Sequence, residues 1–166
     1  MTNGMIHNAV LADSAVLERH NMDEDPIKIN EVDIAYAAGF FDGEGCISIS
    51  KNGAVDIRVT NTAKNVLVRL QSIFGGSITN RTQKANKTQY AYSFYGENAV
   101  EFINLIKPYL IDKLPQAETI LEYYNLRNQI SAVRIPGVKG SFANPDREIL
   151  VQVFRDILTE QKKEEH

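Results

Sequence analysis

The sequence predicts a mixed α+β domain in which helices alternate with pairs of antiparallel strands. Alternating apolar and polar residues form two pairs of short runs, 46–50 with 55–59 and 77–81 with 90–95. Asn52-Gly53 stands between the first two runs and is a strong signal for a tight hairpin. Segments with apolar residues at helical spacing precede, separate and follow these strand pairs.

The predicted elements follow in the order α-β-β-α-β-β-α-α-α. The first helix covers about 31–42, because Asn30 is a favourable N-cap and acids in the first turn complement the helix dipole. It ends in the glycine-containing segment 43–45. A second helix covers 65–74 and ends at Gly75-Gly76. Three further helices are predicted over 99–106, 116–129 and 146–161.

The composition is that of an ordinary globular protein. Of the 166 residues, 43% are hydrophobic and 23% are charged, and no apolar run could span a bilayer. The first residues have neither the basic nor the apolar region of a secretory leader, so secretion is not expected. Cys46 is the single cysteine, so we expect no internal disulfide and an intracellular setting: the cytoplasm of a prokaryote or phage host, or an organelle. Residues 1–28 are predicted to form a flexible acidic arm before the domain at 29–166.

The charge distribution points to a polyanionic partner more than the net charge of −3 does. Residues 1–33 carry seven acids and two bases, and residues 156–166 carry four acids and two bases. Residues 47–95, which contain the predicted strands, carry seven bases and the single acid Asp56. A basic sheet between acidic ends is a plausible footprint for nucleic acid. On charge alone, a solvated strand surface that uses lysine and arginine remains the simpler explanation.

Small residues occupy one face of the first predicted helix. Five positions share that face at helical spacing: Ala35, Ala38, Gly39, Asp42 and Gly43. Such a face lets another helix approach closely, because the side chains at the contact set the interaxial distance. Since each glycine inside a helix costs about 1 kcal/mol relative to alanine, close helix packing is the expected compensation; a frayed helix end is the alternative. Tyr36, Phe40 and Phe41 lie opposite and suit the subunit's own core.

The nine residues Ala37-Ala38-Gly39-Phe40-Phe41-Asp42-Gly43-Glu44-Gly45 resemble the LAGLIDADG homing endonuclease motif, position by position. The departures are Ala37 for leucine, aromatics at 40 and 41, Gly43 for alanine, and Glu44 for the last aspartate, where the family also uses glutamate. The helix–hairpin–helix–hairpin order is also the family's, and the resemblance covers about residues 30–130. It implies an αββαββα core with a saddle-shaped antiparallel DNA-binding sheet, plus C-terminal helices.

The resemblance implies a metal-dependent endonuclease that hydrolyses phosphodiester bonds. In this family two motif helices pack together on a two-fold axis, with the last acid of each at the scissile phosphates. Carried over, Glu44 is the catalytic metal ligand, and the backbone carbonyl of Gly43 is an additional ligand. The expected cofactor is Mg²⁺ or another divalent cation such as Mn²⁺, because Mg²⁺ is commonly held by one or two carboxylates together with substrate oxygens.

Two further catalytic residues and a homodimer are implied by the same resemblance. Segment 107–117 resembles the family segment that carries a basic active-site residue, which is Lys113 here; an ordinary surface lysine is the alternative. Asn61 matches, more weakly, a position that often holds a water-orienting side chain. Only one motif is present, so a symmetric homodimer is implied, with the small-residue face as its interface. Asp42 is interpreted as interfacial rather than as a metal ligand.

The outward-facing strand residues are expected to read double-stranded DNA. A two-stranded ribbon fits the major groove, where arginine can bind guanine through two hydrogen bonds. The inward positions are 47, 49, 55, 57, 59 and 78, and residues that alternate with them face outward. The phase of 90–95 is ambiguous and is left unassigned. Together with the basic segment between the third and fourth strands, this alternation predicts these DNA-binding residues: Ser48, Ser50, Asn52, Asp56, Arg58, Ser77, Thr79, Arg81, Lys84 and Lys87.

The sequence therefore predicts a homing endonuclease that takes part in intron or intein mobility and cuts a pseudo-palindromic site as a homodimer. One alternative keeps the fold without cleavage, as a DNA- or RNA-binding regulator or an intron maturase. A second alternative is an unrelated α+β enzyme acting on small molecules. Against it stands the absence of a glycine-rich phosphate loop, a Cys/His cluster or a nucleophile elbow in the sequence.

Overall fold

The computed structural model describes residues 29–82, 88–132 and 145–164, and it confirms the predicted order of elements. The helices are α1 (Glu31–Glu44), α2 (Lys64–Phe74), α3 (Glu97–Ile106), α4 (Leu114–Ala132) and α5 (Pro145–Glu164), with a short 3-10 helix (Lys107–Tyr109) after α3. The strands are β1 (Gly45–Ile49), β2 (Val55–Asn61), β3 (Ser77–Thr82) and β4 (Thr88–Tyr95). The predicted arm at 1–28 lies outside the described residues. Within the described ranges, no helix combines the length and apolar character needed to cross a membrane.

Helix α1 begins as predicted and ends two residues later than predicted. The Asn30 side chain caps it, because its Oδ1 accepts a hydrogen bond from the Asp33 N–H at 2.9 Å. The helix then passes directly into β1 at Gly45. A Cβ at Gly45 would lie 2.4 Å from the carbonyl oxygen of Phe41 and 2.5 Å from its ring, so this helix-to-strand junction requires glycine.

The four strands form one antiparallel sheet in the order β1-β2-β4-β3. Ile57 pairs with Ile47 on one side and with Phe94 on the other, and all three side chains are buried. The inward phase predicted for the first two strands is confirmed, since residues 47, 49, 55, 57 and 59 are all buried. Ile78 on β3 is half-buried against the same core.

An aromatic cluster joins the helices to the inner face of the sheet. Phe102 of α3 stacks on Phe94 of β4 with ring centroids 4.5 Å apart. Its ring also makes edge contacts with Phe74 of α2 at 5.5 Å and Phe41 of α1 at 6.1 Å. Such pairs contribute about 0.5–1.5 kcal/mol each beyond their buried area. Three helices and a central strand therefore meet at a single ring.

The C-terminal helices hold the first hairpin in place. The Asn52-Gly53 turn is present, with the Gly53 N–H donating to the Ser50 carbonyl at 2.9 Å and φ of 77° at Gly53. The Tyr123 hydroxyl on α4 donates to the Gly53 carbonyl at 2.7 Å. On α5, Lys162 Nζ donates to the carbonyl of Ile47 at 2.6 Å, so this helix covers β1, the edge strand of the sheet.

Candidate metal centre and nucleic-acid interface

The C-terminal end of α1 carries a carboxylate without a counter-charge. Glu44 is exposed and forms no hydrogen bond or ion pair with the described part of the chain, and the last turn of α1 contains no basic residue. An acid at this end of a helix is unfavourable, because the helix dipole is negative there. The last carbonyls of a helix, including that of Gly43, also lack intrahelical partners. A bound cation would relieve both effects.

One subunit supplies only part of a metal shell. Among the described residues, no three His, Cys, Asp or Glu side chains lie close enough to hold an ion. Glu44 and the Gly43 carbonyl are nevertheless the oxygen donors that Mg²⁺ prefers. The donor set fits a divalent metal whose remaining ligands come from another molecule, such as a phosphate group or a second subunit.

Asp42, the other acid of the motif, is engaged within the subunit. Its Oδ2 accepts a hydrogen bond from the Ile111 N–H at 2.8 Å, and its Oδ1 accepts one from the Lys113 N–H at 3.0 Å. The carboxylate therefore fastens the end of α1 to the segment that leads into α4. The sequence analysis did not predict this role, because the partners are 69 and 71 residues away.

Lys113 and Asn61 lie in the segments that meet the end of α1. Lys113 is only 7% exposed, so it is not an ordinary surface lysine, and its Nζ is 3.9 Å from the carboxylate of Asp112. Asn61 ends β2, and its Oδ1 accepts a hydrogen bond from the Ala63 N–H at 2.8 Å. Because Gly45 pairs with Val59, the end of β2 lies beside the end of α1. The three predicted catalytic residues therefore belong to adjoining segments.

The exposed face of α1 is rotated from the predicted one. Ala38 is 0% exposed and belongs to the core with Phe41, whereas Tyr36, expected in the core, is 47% exposed under the guanidinium of Arg69. The side of α1 that carries Ala38 is the side that packs into the core. Asp42 is half-buried, and the exposed residues of α1 are Glu31, Val32, Ala35, Tyr36, Gly39, Gly43 and Glu44.

The two glycines within α1 have open space around them. A Cβ built at Gly39 or at Gly43 would meet no atom of the described residues within 4 Å. The subunit's own packing therefore does not require glycine at either position, in contrast to Gly45 at the end of the motif.

The predicted DNA-binding residues form cross-strand rows on the outer face of the sheet. One row joins Ser48 and Asp56 with Tyr95, and another joins Arg58 with Ser93 and Ser77. Lys84 and Lys87 lie outside the described residues. The other predicted residues have exposed or half-exposed side chains: Ser48, Ser50, Asn52, Asp56, Arg58, Ser77, Thr79 and Arg81.

Two features of this face were not predicted. Ser50 is a turn-forming residue, because its Oγ hydrogen-bonds with the Asn52 side chain and with the backbone of Ala54. Strand β4 contributes outward residues that include Ser93 and Tyr95. The sequence could not reveal their phase, because aromatic residues occupy both alternating sets of 90–95. Only pairing with β2 decides which set faces out.

Arg58 is the most constrained cation of the outer face. Its Nη2 donates to Asp56 Oδ2 at 3.2 Å, and its Nε donates to Ser93 Oγ at 3.4 Å. Hydrogen bonding with Tyr95 and the nearby Asp56 carboxylate raise the pKa of Arg58, against the opposing effect of burial. The guanidinium is therefore a permanent positive charge in a defined position.

The chain matches a known family over the motif and the elements that follow it. Residues 31–107 match the family model described as a LAGLIDADG-like domain. The fold is that of the LAGLIDADG homing endonucleases.

Solved structures of such enzymes are similar to this chain at low sequence identity. The homing endonuclease I-CvuI, in complex with the I-CreI target in the presence of Mg, is 21% identical with a TM-score of 0.59, over 79% of this chain and 82% of that chain. The archaeal intron-encoded homing endonuclease I-Vdi141I, complexed with DNA, is 20% identical with a TM-score of 0.61, over 79% and 84%. The homing endonuclease I-TnaI is 16% identical with a TM-score of 0.54, over 80% of this chain and 97% of that chain. No curated protein sequence matches the chain.

Proposed function

We propose that the protein is a site-specific DNA endonuclease that acts as a homodimer, with a divalent metal held by Glu44. One observation carries this proposal: Gly39, Gly43 and Glu44 of the motif are exposed together on α1, and no contact within the described part of the subunit explains why they are there. The printed descriptions of I-CvuI and I-Vdi141I as DNA complexes support a DNA substrate.

The glycines of α1 support dimerisation through this helix. Each costs about 1 kcal/mol relative to alanine in a helix interior, and open space surrounds both Gly39 and Gly43 in the single chain. The same helix of a second copy is the natural partner, because a two-fold interface uses one patch twice. Val32, which is 76% exposed, and Tyr36 would be covered in the same contact.

The chain's own residues then have distinct roles in the reaction. Two copies of α1 would bring two Glu44 carboxylates together, and each would hold metal beside a phosphate of the DNA. Bound there, a divalent ion lowers the pKa of its water and stabilises charge in the transition state. Asp42 fixes the segment that carries Lys113, which is the candidate for stabilising charge on the scissile phosphate. Asn61 is the candidate for orienting water.

The outer face of the sheet is the proposed DNA-binding surface. Arg58 and Arg81 give it positive charge, and a twisted strand pair fits the major groove. A two-fold dimer presents the same surface to each half-site, so the target is expected to be pseudo-palindromic. The alternative of a non-cleaving regulator or maturase uses the same surface but no metal at Glu44.

The test compares cleavage with binding on a randomised duplex library. Wild-type protein with Mg²⁺ or Mn²⁺ is expected to cut a pseudo-palindromic sequence. Glu44→Gln should bind that sequence without cutting, with slightly higher affinity because a carboxylate near phosphate is neutralised. Glu97→Gln, which changes an exposed acid at the start of α3, is the matched control and should cut normally. Cutting by Glu44→Gln would exclude Glu44 from the mechanism, and sequence-specific binding without cutting by the wild type would favour the alternative.

A further inference from the structure

Asp56 is in contact with Arg58 on the outer face of the sheet. The side chain of Asp56 is 19% exposed, whereas that of Arg58 is 30% exposed. One carboxylate oxygen, Oδ2, accepts from Arg58, and the other, Oδ1, is buried without a hydrogen-bond partner among the described residues. Asp56 therefore presents little of its carboxylate to a ligand above the sheet.

The contacts of Arg58 leave part of its guanidinium available. Nε and Nη2 lie on one edge of the group, and they donate to Ser93 and Asp56. Tyr95 is a further hydrogen-bond partner of the guanidinium. Of the five N–H donors of an arginine, one N–H of Nη1 and the second N–H of Nη2 form the other two-donor edge. Two parallel donors match O6 and N7 of guanine in the major groove.

We propose that Asp56 is a specificity-determining positioning residue, which holds Arg58 against Ser93 so that the remaining donors of Arg58 read a guanine in each half-site. This inference rests on the proposed DNA-binding function. It differs from the sequence-based expectation that Asp56 itself contacts DNA. Asp56 acts on the base only through Arg58.

Holding Arg58 in place favours specificity over affinity. A free arginine side chain loses rotamer freedom when it binds, and it can reach any nearby phosphate instead of a base edge. The Asp56 carboxylate limits this freedom, and its negative charge also weakens binding to phosphates of every sequence. Removing Asp56 should therefore raise general affinity and lower base discrimination at the same time.

The experiment measures base preference at each position of a randomised duplex library, with Ca²⁺ replacing Mg²⁺ and with the full chain. Wild-type protein should prefer guanine at one position per half-site. Arg58→Ala and Asp56→Ala should both lower that preference, by about 5- to 150-fold for loss of the two-donor contact. The double variant should discriminate no worse than Arg58→Ala. Asp56→Asn keeps one oxygen that can accept from Nη2 of Arg58, so it should keep part of the guanine preference. It replaces Asp56→Ala in the experiment if that variant does not fold.

The same base-preference assay includes a control variant on α5. Glu160→Ala removes the acid of an exposed ion pair with Lys163 on α5, which includes neither Asp56 nor Arg58, and should leave the preference unchanged. A changed preference at a different base pair in Asp56→Ala would mean that Asp56 contacts a base directly, and an unchanged preference would remove its positioning role. No sequence preference in the wild type would overturn the proposed function itself, and this inference with it.

Discussion

Asp42 and Glu44 are two residues apart in the motif, yet their environments differ completely. Both oxygens of Asp42 accept hydrogen bonds from the backbone of the segment before α4. Glu44 is exposed at the end of the helix, without a partner in the described part of the chain. The first acid is therefore suited to hold the site together, and the second is suited to bind a cation from outside the subunit.

Replacement of Asp42 should destabilise the protein. Asp42→Ala leaves the N–H groups of Ile111 and Lys113 without their acceptor, which should cost about 1–3 kcal/mol of unfolding free energy. Asp42→Asn should cost less, because one acceptor oxygen remains. Urea denaturation measures the unfolding free energy of both variants. Glu118→Ala, which removes the acid of an exposed ion pair with Lys107, should cost less than about 1 kcal/mol. Equal stability of Asp42→Ala and the wild type would show that these hydrogen bonds contribute nothing.

At the scale of elements, α1 buries one side in its own subunit and leaves the opposite side exposed. Ala37, Ala38 and Phe41 face the core, and Gly39 and Gly43 face outward with no atom near their missing Cβ positions. Helix propensity therefore disfavours glycine at these two positions, whereas the proposed dimerisation favours it.

Gly39→Ala should separate these two demands. In the isolated subunit it should stabilise the helix by up to about 1 kcal/mol. In the dimer, the added methyl group should hold the two helices apart and weaken association. Sedimentation over a range of concentrations measures association, and urea denaturation at low concentration measures subunit stability. An unchanged or tighter dimer would mean that this face is not the interface.

Gly39→Leu extends the same argument. The larger side chain should give monomeric or insoluble protein, because it separates the paired helices. Ser72→Leu adds the same side chain to an exposed position of α2 and controls for the general effect of surface leucine. A soluble and fully active dimer of Gly39→Leu would contradict the proposed interface.

Tyr123 links the first hairpin to α4 through a buried hydrogen bond to the Gly53 carbonyl. Tyr123→Phe should cost about 1–3 kcal/mol near neutral pH, because this buried acceptor loses its donor. Burial raises the pKa of Tyr123 above its ordinary value of 10.0, against opposing effects of Arg127 and Arg147. The unfolded chain therefore loses this proton first as the pH rises. The contribution of Tyr123 is complete below pH 10 and declines as the pH rises through the folded-state pKa.

Urea denaturation of both proteins from pH 7 to 11 tests this pH dependence. The stability difference between the wild type and Tyr123→Phe should be constant up to about pH 10 and should shrink above it. A difference that stays constant through pH 11 would mean that the pKa of Tyr123 is the same in the folded and unfolded states, so that burial does not raise it.

At the scale of the whole molecule, the proposed double-strand cleavage requires one motif per chain to serve two DNA strands. Each subunit would contribute one Glu44 to a pair across the two-fold axis. The helix ends that carry them would lie close together, so both carboxylates would face the same ion or adjacent ions. A dimer of one wild-type chain and one Glu44→Gln chain, isolated with two different tags, should therefore be impaired in cutting both strands. Rates of nicking and of double-strand cutting measure this. Double-strand cutting at the full rate, with subunit exchange excluded, would contradict the homodimeric active site.

Local patterns in the sequence were sufficient for the elements and for their order. Asn30 as a cap, Asn52-Gly53 as a hairpin turn and the inward phase of 47–59 are all present in the structure. Each depends on residues a few positions apart, which share a turn, a helix face or one side of a strand. The motif could be recognised for the same reason, because its nine residues are contiguous.

Contacts between distant segments decided which faces of the elements are buried and which residues meet at the site. The sequence placed small residues on one face of α1, but packing on the sheet buried Ala38 and turned Tyr36 outward. Strand pairing alone decided the phase of β4 and brought Ser93 beside Arg58. The partners of Asp42 were likewise unpredictable from spacing, because helix and strand periodicity relate only residues close in sequence. Which faces meet across 30 or more residues depends on how all the elements pack around one core, and only the tertiary structure contains that information.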